Sequence, residues 1–405
     1  MTRKRTLLLL GGSRYLEPVI ESAHSLGLRV VTCDYLPDNW AHQHSDEYVN
    51  VSVVDRDAVL AVARSVRADG IMSFACDPGV VTAAYVAECM GLPFQGPYES
   101  VCTLQDKGLF RSFLADNGFR TPRSRRYRSA AEAVLDAGSI GWPVMVKPVD
   151  SAGSKGVTRV DCVEELSTAT AEAERISTSG AVMIEEFISF EGYHSSTDPF
   201  TVDGELVFCT YSDQLFDSGA DNPYTPSLIV WPSTMADAYQ AELTGELQRL
   251  ACLLELGTGI YNVETCVGAD SVPYLMEVSP RGGGCRIAEL QRMAYGVDLV
   301  GAEVRKAVGL PVGDLSWHEP DGAWCELVVH ATAGQAGRLE RIDIDPQVRS
   351  NNVMLDGITA RPGDEVRPFT GANMALGDLF LRFDSREELD DMVSCSREWL
   401  RVVVS

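Results

Sequence analysis

Short apolar runs alternate with amphipathic stretches over the first hundred residues. The runs have the length of strands, and the stretches between them carry apolar residues at helical spacing. The predicted strands are 6–10, 29–34 and 70–75, and the predicted helices are 16–26, 57–67 and 79–90. Strands that alternate with helices are typical of a parallel sheet covered by helices. The sequence therefore predicts an α/β fold whose N-terminal part is a parallel-sheet βαβ domain.

The middle of the chain follows a different pattern. A helical stretch at 97–119 contains Asp106 and Lys107, and strands at 143–148 and 157–160 enclose a loop of small residues. A strand, a small-residue loop and a second strand are typical of a flap. The other predicted elements are a strand at 181–188, a hairpin around 201–207, a helix at 236–256, short strands and turns such as 355–358, and a final helix at 387–399.

Two acidic residues face each other in a predicted hairpin, called here the carboxylate hairpin. Its strands are 261–267 and 273–279, on either side of a turn-forming Gly-Ala-Asp-Ser. A symmetric turn places Glu264 opposite Glu277 and puts Asn262 and Ser279 on the same face. Like charges directly opposite on a sheet are destabilising. The pair therefore indicates either a solvated face or a site for a hard divalent ion such as Mg²⁺, which takes oxygen ligands.

The segment after the hairpin, residues 281–286, is called here the glycine loop. It contains Arg281, three consecutive glycines, Cys285 and Arg286. Arginine offers a planar fork of donors suited to carboxylate or phosphate, and glycines let backbone N–H groups approach an anion closely. Together with a metal site, this loop indicates phosphate chemistry.

Composition limits the classes of partner. The formal charge of −24 argues against a nucleic-acid partner, because phosphate backbones require a basic surface. No apolar run reaches the length of a membrane span, and eleven scattered cysteines without a Cys-x-x-Cys pair fit a reducing compartment. We therefore expect a cytoplasmic protein with no membrane partner, and 405 residues suffice for two or three domains.

Two weaker signals concern nucleotides. Gly11-Gly12-Ser13 follows the first strand, but Arg14 and Tyr15 stand where a dinucleotide fingerprint needs further glycines, so NAD or FAD binding is disfavoured. Lys147 ends an apolar strand and Lys155 lies in the flap loop. Each lysine either extends to solvent or contacts a phosphate, and the spacing is not that of a Walker A motif.

Six motifs follow one another along the chain. They are Asp106-Lys107, the strand 143–148 with Lys147, the flap 151–157, Glu185-Glu186-Phe187-Ile188, Asn262-Val263-Glu264, and 277–283. In this order and at these separations, the motifs resemble those of an ATP-grasp ligase, and the resemblance covers nearly the whole chain. Residues 212–214 and 224–227 also resemble the amino-acid-using members.

The resemblance implies a nucleotide site. Lys107 and Lys147 would contact the phosphates of ATP, and the flap with Ser154 and Lys155 would close over them. Glu264 and Glu277 would hold Mg²⁺, with Mn²⁺ able to substitute, and Ser279 stands where the family usually has asparagine. Glu191 is the candidate for binding the ribose. The residues expected to hold the adenine through backbone groups are Glu185, Glu186, Phe187 and Ile188.

The resemblance also implies a reaction. A carboxylate would become an acyl phosphate that Arg281 stabilises, and an amine would then attack it. Arg281, Gly283 and Arg286 would bind the substrate carboxylate. The expected substrates are a small carboxylic acid and an amine, both amino acids in the leading hypothesis. The alternatives are a purine-pathway enzyme acting on a ribosyl phosphate and a nucleotide-binding protein without catalysis.

The implied organisation has three parts. They are an N-terminal α/β domain at 1–96, an ATP-grasp domain at 97–310 with a flap-like lid at about 122–188, and a mixed C-terminal domain at 311–405. The fold class is α/β, with α+β character in the ATP-binding part. A homodimer through the first domain would be usual for such a family.

Overall fold

The computed structural model describes residues 3–136, 141–151, 155–190, 192 and 194–405. The chain opens with a four-stranded parallel sheet in the order β3-β2-β1-β4. Every residue of β1 is buried, as expected for a parallel strand covered on both faces. The elements are β1 Thr6–Leu10, α1 Glu17–Ser25, β2 Arg29–Asp34, β3 Glu47–Asn50, α2 Arg56–Val66, β4 Gly70–Ser73 and α3 Asp77–Met90.

The predicted strands and helices of this part are all present. The strand β3 was not predicted, because it has only four residues and both of its ends are exposed. Local signals fix the helix ends: the Asp55 carboxylate accepts the Ala58 N–H at the start of α2, and Gly91 ends α3 with φ +65°.

The helical stretch predicted at 97–119 divides into two helices, α4 Tyr98–Gln105 and α5 Lys107–Asp116. Asp106 between them has an extended backbone, with φ −90° and ψ 112°, and its carboxylate accepts the N–H groups of Gly108 and Leu109. An aspartate that caps the second helix in this way ends the first. Lys107 consequently stands in the first turn of α5.

The predicted flap region forms a four-stranded antiparallel sheet in the order β5-β8-β6-β7. Val144 and Val146 of β6 are buried, whereas Met145 and Lys147 are half-buried on the other face. The elements are β5 Ser124–Tyr127, α6 Ala130–Leu135, β6 Val144–Pro148, β7 Thr158–Val160, α7 Val163–Ile176 and β8 Val182–Glu186. Lys147 therefore lies at the end of a strand, as predicted, and shares one face of it with Met145.

The next segment contains the carboxylate hairpin, whose strands β15 and β16 form a three-stranded sheet with β9. The hairpin predicted around 201–207 is present as β10 and β11. The elements are β9 Ser195–Thr197, β10 Phe200–Val202, β11 Glu205–Phe208, β12 Asp213–Phe216, β13 Pro226–Trp231, α8 Asp237–Leu253, β14 Gly259–Ile260, β15 Asn262–Val267, β16 Pro273–Ser279, α9 Ile287–Tyr295 and α10 Leu299–Ala307.

The last part supplies three strands to the five-stranded sheet β12-β13-β17-β21-β19 and all strands of the sheet β20-β18-β22. Residues 355 and 356, predicted as part of a turn, end a strand, and the final helix predicted at 387–399 divides into two. The elements are β17 Ala323–Val329, β18 Gly337–Ile344, α11 Pro346–Asn351, β19 Val353–Asp356, β20 Glu365–Val366, β21 Gly377–Phe383, α12 Arg386–Ser394, α13 Ser396–Trp399 and β22 Leu400–Val404.

One hydrophobic core joins distant parts of the chain. It contains residues of β1, β2 and α1 together with residues of α9 and α10. The glycine loop therefore lies against the first sheet, and the Ala75 N–H donates to the Gly282 carbonyl at 3.0 Å. The boundaries at 96/97 and 310/311 stay predictions. No helix in the described part of the chain is long and apolar enough to cross a membrane.

Candidate active site

The carboxylate hairpin has the predicted pairing at its functional end. Glu264 pairs with Glu277 and Asn262 with Ser279 across β15 and β16. Burial and the charge of Glu277 raise the pKa of Glu264 to about 7. Lys107 Nζ lies 2.9 Å from Glu277 Oε2 and partly offsets the repulsion. The two facing carboxylates are thus placed to bind a cation.

The hairpin is not symmetric along its whole length. A bulge between Glu264 and Thr265 shifts the register, so that Thr265 pairs with Leu275. Symmetric pairing would have placed Thr265 opposite Met276. A bulge inserts an unpaired residue and bends the strand. The bulge in β15 follows directly after Glu264, a predicted metal ligand.

A buried ion cluster surrounds the strand end that carries Lys147. Glu185 is 1% exposed and accepts Lys147 Nζ at 2.5 Å and Arg111 Nε at 2.6 Å. Burial alone raises the pKa of Glu185, but the charges of Arg111 and Lys147 outweigh it and hold the pKa at about 2. The sequence analysis did not select Arg111, which lies mid-helix in α5 with no local signal. The cluster joins α5, through Arg111, to the lid sheet that carries Lys147 and Glu185.

The other predicted nucleotide contacts lie along the same lid. Glu186 pairs with Arg123 at 3.1 Å, and the Phe187 ring lies 4.4 Å below the Arg159 guanidinium. Ile188 is half-buried and Lys155 is exposed. Ser154 and Glu191 lie outside the described residues. The assignments of these lid residues to adenine, ribose and phosphate stay predictions.

Arg281 is held by Asp77, the first residue of α3. Arg281 Nη2 donates to both carboxylate oxygens of Asp77, at 2.7 and 2.8 Å, and Nε donates to Oδ1 at 2.9 Å. Ser279 Oγ also donates to Asp77, at 3.0 Å, and accepts Gln105 Nε2 at 2.6 Å. Burial raises the pKa of Asp77, but the guanidinium outweighs it and leaves the pKa below its ordinary value. The sequence analysis missed Asp77.

A second missed residue is Asp198, which follows β9 and is fully buried. Its carboxylate accepts the Gly283 N–H at 2.7 Å and Asn262 Nδ2 at 3.0 Å. The Gly283 N–H, expected to be free for an anion, is therefore already bound to a carboxylate. The assignment of Gly283 to the substrate stays a prediction.

Arg286 is also engaged by acidic residues. Its guanidinium pairs with Glu289, lies 3.7 Å from Glu17, and stands 5.6 Å above the ring of Phe380. A substrate carboxylate that bound Arg286, as predicted, would therefore compete with Glu289 for the guanidinium. Arg286 and the preceding Cys285 both have left-handed backbones, with φ +53° and +54°, which is uncommon outside glycine. Such strain is often found at functional sites.

The donor set fits a magnesium ion held jointly with a nucleotide. Among the described residues, no group of three or more His, Cys, Asp and Glu side chains could hold a metal ion. Magnesium is usually bound through one or two carboxylates, with phosphate and water oxygens completing the shell. Glu264 and Glu277 would supply the carboxylates, and the charges of Lys107 and Lys147 both act on Glu264. The contact of these lysines with the phosphates stays a prediction.

Comparison with known proteins agrees with this arrangement. The ATP-grasp domain family matches residues 112–283. A formate-dependent phosphoribosylglycinamide formyltransferase from Synechococcus sp. (strain RCC307) is 30% identical over 339 residues, covering 82% of this chain and 82% of the relative. The same enzyme from Parasynechococcus marenigrum (strain WH8102) is 25% identical over 397 residues, covering 97% of this chain and 98% of the relative.

Among solved structures, an L-amino acid ligase from Bacillus licheniformis superposes with a TM-score of 0.81. It is 20% identical, and the match covers 100% of both chains. At this identity the likeness shows the fold alone. The mixed α/β fold, the enzyme class and the use of ATP and Mg²⁺ predicted from the sequence are confirmed. The chain belongs to the ATP-grasp family of ATP-dependent ligases that form C–N bonds and release ADP.

Proposed function

We propose that the protein activates formate as an acyl phosphate and transfers the formyl group to the amine of phosphoribosylglycinamide. The observation that carries the proposal is the likeness to formate-dependent phosphoribosylglycinamide formyltransferases over nearly the full length of both chains. The carboxylate hairpin, Arg281 and two lysines beside the hairpin supply the charges that such a transfer requires.

The reaction would proceed in two steps. A carboxylate oxygen of the acid attacks the terminal phosphorus of ATP, ADP leaves, and an acyl phosphate forms. The amine nitrogen then attacks the acyl carbon, phosphate leaves, and the nitrogen loses a proton. Arg281, with Lys107 and the metal, would neutralise the charge on the phosphoryl oxygens. The lid, with Lys147 on its sheet, would keep water from the acyl phosphate.

A second candidate is the joining of two amino acids. The observation that favours it is the acidic surroundings of the glycine loop, since Arg14 pairs with Asp378 at 3.1 Å and Arg286 pairs with Glu289. A ribosyl phosphate would have to displace Asp378 and Glu289 from these two arginines, whereas the ammonium group of an amino acid would be attracted to the two acidic side chains.

The test is ADP release with Mg-ATP, measured with formate plus phosphoribosylglycinamide and with a panel of amino-acid pairs. Mass spectrometry would identify the products. The proposal expects ADP together with a product whose mass is the sum of formate and phosphoribosylglycinamide less water. A condensed product from an amino-acid pair alone would replace the proposal by the second candidate.

Absence of ADP with every pair, with ATP still bound, would instead indicate a nucleotide-binding protein without catalysis. The predicted homodimer is tested separately, by light scattering on the purified chain. A mass near twice 44.1 kDa would support it.

A further inference from the structure

Asp198 lies at the junction of the two elements that form the site. It follows directly after β9, and Ser196 of β9 pairs with Glu264 of the carboxylate hairpin. The side chain is 0% exposed, so it faces neither solvent nor an open substrate site. A residue in this position acts on the site through its neighbours.

Each oxygen of the Asp198 carboxylate has its own partner. Oδ2 accepts the Gly283 N–H at 2.7 Å, and Oδ1 accepts Asn262 Nδ2 at 3.0 Å. Gly283 belongs to the glycine loop, and Asn262 is on the carboxylate hairpin, on the face that carries Glu264. One carboxylate therefore connects the loop to the hairpin.

The approach of the loop to Asp198 is close. A Cβ on Gly283 would lie 2.8 Å from Asp198 Oδ1 and 2.9 Å from Asn262 Nδ2, both shorter than van der Waals contact. Only glycine at position 283 allows the present spacing. The loop is thus packed directly on the carboxylate.

Burying this carboxylate has an energetic cost. Burial raises the pKa of Asp198 to about 7, although the two hydrogen bonds and the charge of Arg281 act in the opposite direction. Buried ionisable groups of this kind contribute little to stability compared with apolar residues of similar size. A buried carboxylate kept at such a cost to stability is expected at functional sites.

We propose that Asp198 is a positioning residue that fixes the glycine loop against the carboxylate hairpin and thereby sets the distance between Arg281 and the metal-binding face. Asp77, the first residue of α3, holds the Arg281 side chain. The loop backbone is then held by Asp198 at the Gly283 N–H and by Ala75 at the Gly282 carbonyl, and its guanidinium is held by Asp77. The consequence for catalysis rests on the proposed acyl-phosphate chemistry, because a displaced loop would leave the acyl phosphate open to water.

The experiment compares Asp198→Ala with Asp198→Asn in the full chain. Hydrogen exchange, followed by mass spectrometry on overlapping peptides that cover 280–287, reports on the N–H groups of the glycine loop, and the difference between overlapping peptides isolates the contribution of the Gly283 N–H. We expect at least tenfold faster exchange in Asp198→Ala and near wild-type exchange in Asp198→Asn, whose amide oxygen still accepts this N–H. Asp198→Ser, too short to reach Gly283, replaces the alanine variant if that variant does not fold.

Steady-state kinetics provide the second measurement. Asp198→Ala should lower kcat at least tenfold with KM for ATP within twofold, and should release more ADP per product formed. Asp198→Asn should stay within about threefold of the wild type. The matched control is Asp69→Asn, because the half-buried Asp69 also accepts a backbone N–H, that of Thr6 at 2.7 Å, at the start of β1, and its other partner is the exposed Arg3.

Three results would overturn the proposal: unchanged exchange in Asp198→Ala, faster exchange with unchanged kcat, or an asparagine variant as impaired as the alanine variant. The last result would show that the charge, and not the hydrogen bond, is required. A wild-type protein inactive with every substrate pair would refute the proposed function, and the exchange measurement would still decide whether Asp198 holds the loop.

Discussion

Arg281 and Asp77 form an ion pair that joins the glycine loop to the first residue of α3. Three donor contacts of 2.7 to 2.9 Å connect the guanidinium to this single carboxylate. The Arg281 side chain is only 7% exposed, so its position is set by this partner more than by solvent. The orientation of an arginine predicted to act in phosphoryl transfer is thus determined by the first residue of α3, the helix that follows the last strand of the first sheet.

Asp77→Asn should lower kcat by roughly tenfold or more, because Arg281 loses its charged partner and its fixed orientation. We also expect a loss of about 3 kcal/mol in the free energy of unfolding, the cost of leaving a buried charge unpaired. ADP release and urea unfolding measure the two effects. Glu47→Gln is the control, since the Glu47 pair with Arg29 is exposed and contributes less than about 1 kcal/mol. Wild-type kcat in a folded Asp77→Asn variant would contradict the positioning of Arg281 by Asp77.

Glu264→Gln should stabilise the ligand-free protein at pH 8 by roughly 1 kcal/mol, because it removes the repulsion between Glu264 and Glu277. The same variant should lose most of the increase in Tm that Mg-ATP gives to the wild type, since it removes a ligand of the ion. Thermal unfolding with and without Mg-ATP measures both effects. Glu205→Gln, on the exposed side of β11, should change neither. An undiminished response to Mg-ATP in Glu264→Gln would mean that Glu264 does not bind the metal.

The pH dependence of stability should include a contribution from Glu185. Its pKa of about 2 in the folded protein lies below the ordinary value of 4.5. The ion cluster therefore stabilises the fold fully above pH 4.5, and this contribution is lost as the pH falls from 4.5 toward 2. It amounts to at most about 3 kcal/mol, at 1.36 kcal/mol for each pKa unit.

Glu185→Gln isolates this contribution. Urea unfolding at pH 6 should show the variant to be less stable than the wild type, and the difference should shrink at pH 3.5. Glu186→Gln is the control, because Glu186 pairs with the exposed Arg123 and contributes less than about 1 kcal/mol at either pH. A difference for Glu185→Gln that is equal at both pH values would contradict the assignment.

Gly283→Ala should destabilise the protein much more than Gly284→Ala does. A Cβ at 283 would meet Asp198 and Asn262 at less than 3.0 Å, whereas a Cβ at 284 would meet nothing within 4 Å. We expect Gly283→Ala to lose about 1–3 kcal/mol of stability, typical of overpacking. Gly284→Ala should lose less than about 1 kcal/mol. Thermal unfolding of the two variants makes the comparison, and equal losses would show that the loop moves freely.

The carboxylate hairpin was predictable because its two strands are contiguous. The turn residues and the polar face fix the register from local sequence, and Glu264 does face Glu277. The bulge after Glu264 was not predicted from the symmetric turn; it lies where β15 also pairs with β9, a strand distant in the sequence. The break between α4 and α5 has a local signal in the sequence, because Asp106 can cap the second helix. The hydrophobic period alone does not show this break.

The partners of the predicted site residues lie far from them in the chain. Asp77 is 204 residues from Arg281, Asp198 is 85 from Gly283, and Arg111 is 74 from Glu185. Asp77, Asp198 and Arg111 are isolated charged residues in ordinary helices or loops. No sequence spacing distinguishes them from other charged residues, because they acquire their partners only when the sheets pack and bury them.

The sequence by itself determined the parallel first sheet, the flap strands, the facing carboxylates and the arginine of the glycine loop, because hydrophobic period, turn residues and charge type are local properties. The tertiary structure decided which acid neutralises which cation, which glycine N–H is already bonded, and how the loop is held against the hairpin. Those choices follow from the burial of charged groups, since a charge removed from water must find its partner in space wherever that partner lies in the chain.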